Sequence, residues 1–160
     1  MRELKFLTDG MLGKLTRWLR MLGLDVEYTG SMDDKELIQE AKKENRILLT
    51  RDVELYRQAV VKGAEAFLIE NPNQTANLAN LAKRFNFKVE VSMETSRCPK
   101  CNSRIRPVSK ASVTGKIPSS TSSNYDEFWQ CQGCGQVYWL GAHWKRIDKT
   151  LEEAKKAITA

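Results

Sequence analysis

Two kinds of residue in this chain could do chemistry, paired cysteines and isolated aspartates. Cys98-x-x-Cys101 and Cys131-x-x-Cys134 have the spacing at which one turn offers two sulfurs to a single metal ion. Four thiolates complete a tetrahedral zinc shell, so this zinc is expected to be structural, with no position open for a reactant. A redox reading would need a Cys-x-x-Cys that opens a helix after a strand, and neither pair stands there. All four cysteines lie in these pairs, a usage that fits metal binding in a reducing compartment better than disulfides. The pairs are 29 residues apart, beyond the usual spacer of about 15–20. The ribbon must therefore carry an insert. Ser109–Ser123 supplies it, a run with so little apolar content that it reads as a mobile loop.

The aspartates that matter are Asp9, Asp34 and Asp52. Asp9 follows the apolar run Leu4–Thr8, Asp34 opens a helical pattern, and Asp52 follows Ile47–Thr50. In a parallel sheet all three positions fall at the carboxyl edge, where ligands bind in open α/β folds. Carboxylates brought together there repel unless a divalent cation neutralises them, and hard oxygen donors favour Mg²⁺ or Mn²⁺. Such ions activate water for phosphodiester hydrolysis. Taken singly, Asp34 and Asp52 are as readily helix N-caps. Asp33 has capping-box spacing to Glu36 and is expected to be the cap, with Asp34 turned into the cleft. Lys14, Arg17 and Arg51 stand close enough to this edge to contact phosphate, or else are solvated surface charge.

The elements that would position these groups alternate in type. Strands are expected at Leu4–Thr8, Asp25–Thr29, Ile47–Thr50 and Ala66–Ile69, and helices at Gly10–Leu22, from about Asp33 to Glu44 with Asn45 as C-cap, at Val53–Val61 and at Thr75–Phe85. On the first helix Leu12, Leu15, Leu19 and Leu22 share one face, and Lys14, Arg17 and Arg20 lie opposite. Strand–helix alternation of this length implies a parallel, Rossmann-like α/β sheet with right-handed crossovers. After residue 92 the composition changes, the ribbon follows, and residues 148–158 read as a short helix. Within Tyr138-Trp139-Leu140-Gly141-Ala142-His143-Trp144 the aromatic residues could stack on bases beside Lys145 and Arg146. Filling the apolar side of a small metal module is the simpler expectation for them. His143, the only histidine, is not needed as a ligand and is expected to pack or hydrogen-bond in the ribbon.

The net charge of +6 is not spread evenly. Residues 1–96 hold 15 basic and 15 acidic side chains, residues 97–146 hold 8 and 2, and residues 147–160 hold 3 and 3. The whole excess sits on the cysteine-bearing segment, which points to a polyanion partner, nucleic acid first. No apolar run approaches the roughly 18 residues of a membrane span. Charges at Arg2, Glu3, Lys5 and Asp9 interrupt any signal-peptide core, so a cytoplasmic location is expected.

The stretches Phe6-Leu7-Thr8-Asp9-Gly10-Met11-Leu12-Gly13-Lys14-Leu15 and Arg17-Trp18-Leu19-Arg20-Met21-Leu22-Gly23, with Asp34, Leu49-Thr50-Arg51-Asp52, both cysteine knuckles and the Tyr138-Trp139…Gly141…His143-Trp144 close, resemble the Mut7-C family. The resemblance covers nearly the whole chain. It implies a PIN-like nuclease domain over residues 1–92, a zinc ribbon over 95–146 with a flexible loop at about 109–125, and a C-terminal helix over 147–160. It further implies a metal-dependent ribonuclease acting on single-stranded RNA, with Asp9, Asp34 and Asp52 as the acidic site and Mg²⁺ or Mn²⁺ as the catalytic ion. Lys14, Arg17, Arg51, Lys145 and Arg146 would contact RNA. A PIN site has a fourth acid, for which Glu54 and Asp126 are the candidates. PIN-like domains often pair, so a homodimer is left open. The rival reading is a zinc-ribbon RNA-binding or adaptor protein whose PIN-like domain is inactive.

Overall fold

The computed structural model describes residues 3–159. In chain order its elements are β1 (Lys5–Thr8), α1 (Gly13–Met21), β2 (Asp25–Tyr28), α2 (Asp34–Glu44), β3 (Ile47–Thr50), α3 (Val53–Val61), β4 (Ala66–Leu68) and α4 (Gln74–Phe85). The ribbon follows with β5 (Ile105–Val108), α5 (Lys110–Val113), α6 (Ser119–Asn124), β6 (Phe128–Cys131) and β7 (Val137–Tyr138), and α7 (Trp144–Thr159) closes the chain. The first four strands form a parallel sheet in the order β2-β1-β3-β4. Among the described residues no helix is long and apolar enough to cross a membrane.

The strand sequences explain the layering. β1 and β3 are almost wholly apolar because both their faces are covered. Phe6, Ile47 and Leu49 point to the face packed by Leu15 and Leu19 of α1, Leu78 and Leu81 of α4, and Leu151 and Ala154 of α7. Leu7 and Leu48 point to the other face, against Leu37 and Ile38 of α2 and Leu55 and Ala59 of α3. Helices α1 and α2 therefore lie on opposite faces, and the chain reverses direction between β1 and β3. That gap is the topological switch point, where open α/β sheets bind ligands.

Local signals set the helix ends. Asp33 accepts the Glu36 amide at 2.8 Å, and Asn45 closes α2 in the left-handed region at φ 60°. α1 starts at Gly13, three residues later than its sequence pattern suggested, because residues 10–12 form the turn after Asp9. Gly23 ends it at φ +92°, where a Cβ would also stand 3.0 Å from the Thr95 carbonyl oxygen.

Three features differ from the sequence expectations, two of them in the second half. The serine-rich insert is not bare loop: it folds into α5, a 3₁₀ turn and α6, anchored by Val113, which is buried with Phe128 and Val137. α7 begins at Trp144 rather than near residue 148, and its first turn carries Lys145 and Arg146. Arg20, on the side opposite the leucines, is buried. Its Nε donates to Val26 O at 2.9 Å and its Nη1 to Pro99 O at 2.9 Å, while Arg97 N donates to Arg20 O.

The ribbon's first cysteine knuckle, through Arg97, Pro99 and Asn102, thus docks on the C-terminal end of α1 and the start of β2, and the antiparallel sheet β5-β6-β7 follows it in the chain. Asn102 completes the joint. Its Oδ1 accepts the Val26 amide at 3.0 Å, and its Nδ2 donates to Asp25 Oδ1 at 2.8 Å. Val26 lies on the outer strand of the sheet, so a side-chain amide takes the place of a missing neighbouring strand. Asp25 also receives Arg46 Nη1 at 2.8 Å, and that guanidinium reaches Phe6 O. Burial works against the Asp25 charge, but the hydrogen bonds from Arg46 and Asn102 outweigh it and hold the carboxyl below its usual range.

Candidate functional site

β1 and β3 run side by side in register, so Asp9 and Asp52 emerge at the carboxyl edge on either side of the switch point. Asp9 is 8% exposed. Its Oδ1 accepts the Met11 amide at 3.0 Å, and its Oδ2 accepts the Thr50 hydroxyl at 2.6 Å. The same Thr50 oxygen accepts the Asp52 amide at 3.0 Å. One hydroxyl therefore fixes the direction of the buried acid and the backbone of its neighbour. Sequence reasoning did not single out Thr50; its signal is a hydroxyl at the last position of the strand beside an acid-bearing strand.

Asp52 caps α3, its Oδ1 accepting the amides of Glu54 and Leu55 at 2.9 and 3.2 Å. The capping alternative thus holds for that oxygen. Asp34 is the first residue of α2 and is exposed, Asp33 being the cap. The three carboxylates do not close into one set. Among the described residues, the four cysteines form the cluster of His, Cys, Asp or Glu ligand atoms lying within 4.8 Å of one another. The donor types of the aspartates suit a hard divalent ion.

Of the basic candidates, Lys14 and Arg17 are exposed on α1. Arg51 is half-buried and donates to Asn71 O at 3.0 Å. Lys145 and Arg146 are exposed on α7. Glu54 sits exposed in the first turn of α3, beside Asp52. Asp126 lies in the ribbon insert, paired with Lys110 at 3.1 Å. Around the acidic edge several apolar side chains are exposed, among them Met11, Tyr28 and Val53. Tyr28 is held in place by its hydroxyl, which donates to Gly10 O at 2.9 Å.

The thiol cluster passes a geometric test for zinc. Zn–S bonds of about 2.3 Å at tetrahedral angles give sulfur–sulfur edges of about 3.8 Å. Cys98 and Cys134 sulfurs are 3.7 Å apart, and those of Cys101 and Cys131 are 3.3 Å apart. The amides of Gly133 and Cys134 point at Cys131 Sγ, at 3.3 and 3.4 Å. Tyr138 donates its hydroxyl to Cys98 Sγ at 3.0 Å, a support that its place in the aromatic strand did not reveal. Burial and this bond to a thiol raise the Tyr138 pKa, so it stays protonated and a donor. At Cys101, burial opposes ionisation, yet hydrogen bonds from Ser103 and the neighbouring cysteines bring the thiol down to about 6. A thiol that ionises this readily is ready to bind metal. His143 lies outside the cluster, exposed just before α7.

A parallel α/β sheet with acids at its switch point, joined to a four-cysteine ribbon, defines a two-module protein whose second module is built to hold a metal. The chain belongs to the Mut7-C family: residues 4–151 match the model of the Mut7-C RNAse domain. The human protein described as "Exonuclease mut-7 homolog" is 33% identical over 104 residues, a match that spans 63% of this chain and 12% of that protein. A solved structure, "A domain of a functionally unknown protein from Methanocaldococcus jannaschii DSM 2661", is similar over 31% of this chain and 45% of that chain, with 30% identity and a TM-score of 0.26. That likeness is too slight to bear on fold or function.

Proposed function

We propose that the chain is a ribonuclease that hydrolyses phosphodiester bonds of single-stranded RNA, with Asp9, Asp34 and Asp52 as its acidic site and dependence on Mg²⁺ or Mn²⁺. The observation that carries the reading is Asp9 itself, a carboxylate held by Thr50 at the switch point of a chain in the Mut7-C RNAse domain family. When bound, the ion supplies an activated water and screens charge on the phosphate. Asp9 is oriented in advance. Among the described residues Asp52 makes its hydrogen bonds through Oδ1 alone, and Asp34 stands at the exposed start of α2. Lys14, Arg17 and Arg51 border this edge and suit the phosphates, and the basic ribbon with Lys145 and Arg146 suits the rest of the strand.

One observation favours the rival reading of a non-catalytic RNA-binding module: Asp52 is partly engaged as the cap of α3. A single experiment separates the two. Labelled single-stranded RNA and matched DNA are incubated with Mn²⁺, Mg²⁺ or EDTA, with Asp9→Asn at equal load. Metal-dependent RNA cleavage lost in Asp9→Asn is expected. Equal cleavage by the variant, or binding without products, would establish the rival.

A further inference from the structure

A cavity of about 210 Å³ opens where the two modules and α7 meet. Its walls include Met21 at the end of α1, Met93, Tyr138, Trp139, Trp144 and Ile147. Arg97 is the one charged residue among the described lining, and its Nε is buried without a hydrogen-bond partner there. Trp129 fills the metal module at 8% exposure, and Trp139, as expected, packs edge-on against its Phe128; Trp139 and Trp144 are nevertheless only half-buried and border open space. A second depression, reaching His143, shares Trp139 and Trp144 with the first.

The volume is below the roughly 300–1,000 Å³ of drug-sized pockets and suits one planar ring system. Cations flank its wall residues in the sequence. Lys100 follows Pro99 of the wall, and Lys145 and Arg146 share the first turn of α7 with Trp144, against Glu94 and Asp148 nearby in the chain. On α1, Lys14, Arg17 and Met21 are spaced three and four apart and therefore share a helix face. That face starts beside Asp9 and ends in the cavity. From Lys14 to Met21 it rises about 10 Å, a span of a few nucleotides of a single strand.

We propose that this cavity holds an unpaired nucleobase of a single-stranded nucleic acid, stacked against Trp144, while its backbone follows Arg17 and Lys14 toward Asp9. The proposal rests on the nuclease reading and extends it. The acidic edge and the cavity lie at opposite ends of α1, so a strand must span the helix to touch both. Cleavage then depends on a base held several nucleotides from the bond that breaks.

The test uses the zinc-loaded full chain carrying Asp9→Asn, so that binding is read without cleavage. A labelled short oligoadenylate and the same ribose-phosphate strand lacking its bases are titrated at fixed salt. The oligoadenylate is expected to bind more tightly and to quench tryptophan fluorescence. Trp144→Ala should weaken it about tenfold, the scale of one stacking contact, and Trp144→Phe should restore most of the loss. Leu140→Glu, at an exposed wall position that threatens no packing, should also lower affinity. Equal binding of the two strands, or full affinity in both Trp144→Ala and Leu140→Glu, would overturn the proposal. So would a dimer that disperses in Trp144→Ala with RNA affinity unchanged, which would assign the face to a second copy. RNA cleavage by the native chain that ignores Trp144 would sink the cavity proposal alone, whereas no RNA binding at all would sink both readings.

Discussion

Thr50 donates its hydroxyl to Asp9 Oδ2 at 2.6 Å from the end of the neighbouring strand, so the most buried acid of the candidate site has a partner that cannot move independently of the sheet. Thr50→Val keeps the shape and removes the donor. It should cost about 1–3 kcal/mol, the usual penalty for a buried polar group left without its bond. Urea unfolding measures that loss. RNA cleavage should fall further than stability accounts for, since Asp9 is then free to turn. A variant with wild-type turnover would show that this orientation is immaterial.

Asn102 ties the ribbon to the sheet. Asn102→Ala leaves the Val26 amide open and removes one donor from Asp25, and it places a Cβ residue without a stabilising side chain at φ 73°. The expected cost is about 2 kcal/mol or more. The specific readout is hydrogen exchange at the Val26 amide, which should accelerate much more than that of Leu48 in the centre of the sheet. Equal acceleration at both would mean that the chain loosens as a whole.

Acid should loosen the same joint. The folded Asp25 carboxyl titrates below its unfolded value of 3.8. Its contribution is therefore complete above that value and is lost as pH falls through the folded pKa. Denaturation midpoints taken from pH 6 downward should drop for the native chain below about pH 4. Asp25→Asn should start lower at neutral pH and decline less steeply over the same interval.

The metal prediction concerns stoichiometry and affinity. The chain should bind one zinc ion through Cys98, Cys101, Cys131 and Cys134, and a strong chelator should unfold residues 95–146 while leaving the parallel sheet folded. Tyr138→Phe removes the donor to Cys98 Sγ and should weaken zinc binding about 10- to 100-fold. Competition against a chromophoric chelator gives both numbers. An unchanged affinity would show that the phenol is only packing.

Much of the first module was legible because its signals are local. Asp33 and Asn45 bracket α2 by their own hydrogen bonding and backbone preference, and the apolar runs of β1 and β3 announce strands covered on both faces. Arg20 could not be read this way. A helical wheel marks it as polar, and its burial rests on two carbonyls that the wheel does not show, Val26 O on the next strand and Pro99 O, 79 residues on in the chain. The insert misled through its average composition, since a few spaced anchors, Val113 buried under Phe128 with Ile117 and Tyr125 packed beside it, hold it to the ribbon. The alignment of Asp9 with Asp52 follows from parallel strands alone. How near Asp34 comes depends on the loop from residue 29 to 33, whose path no periodicity encodes.

Asn102 has a consequence for how copies of this chain can meet. An outer strand invites pairing with its counterpart on another molecule, the first step of sheet-to-sheet aggregation. On the β2 side the ribbon occupies that place, so a folded ribbon also serves as a guard against edge pairing. On the other side stands β4, only three residues long, which is too short to act as a template. Loss of zinc would uncover the longer edge. A metal-starved preparation should therefore self-associate through β2, and added zinc before the sheets join should prevent it.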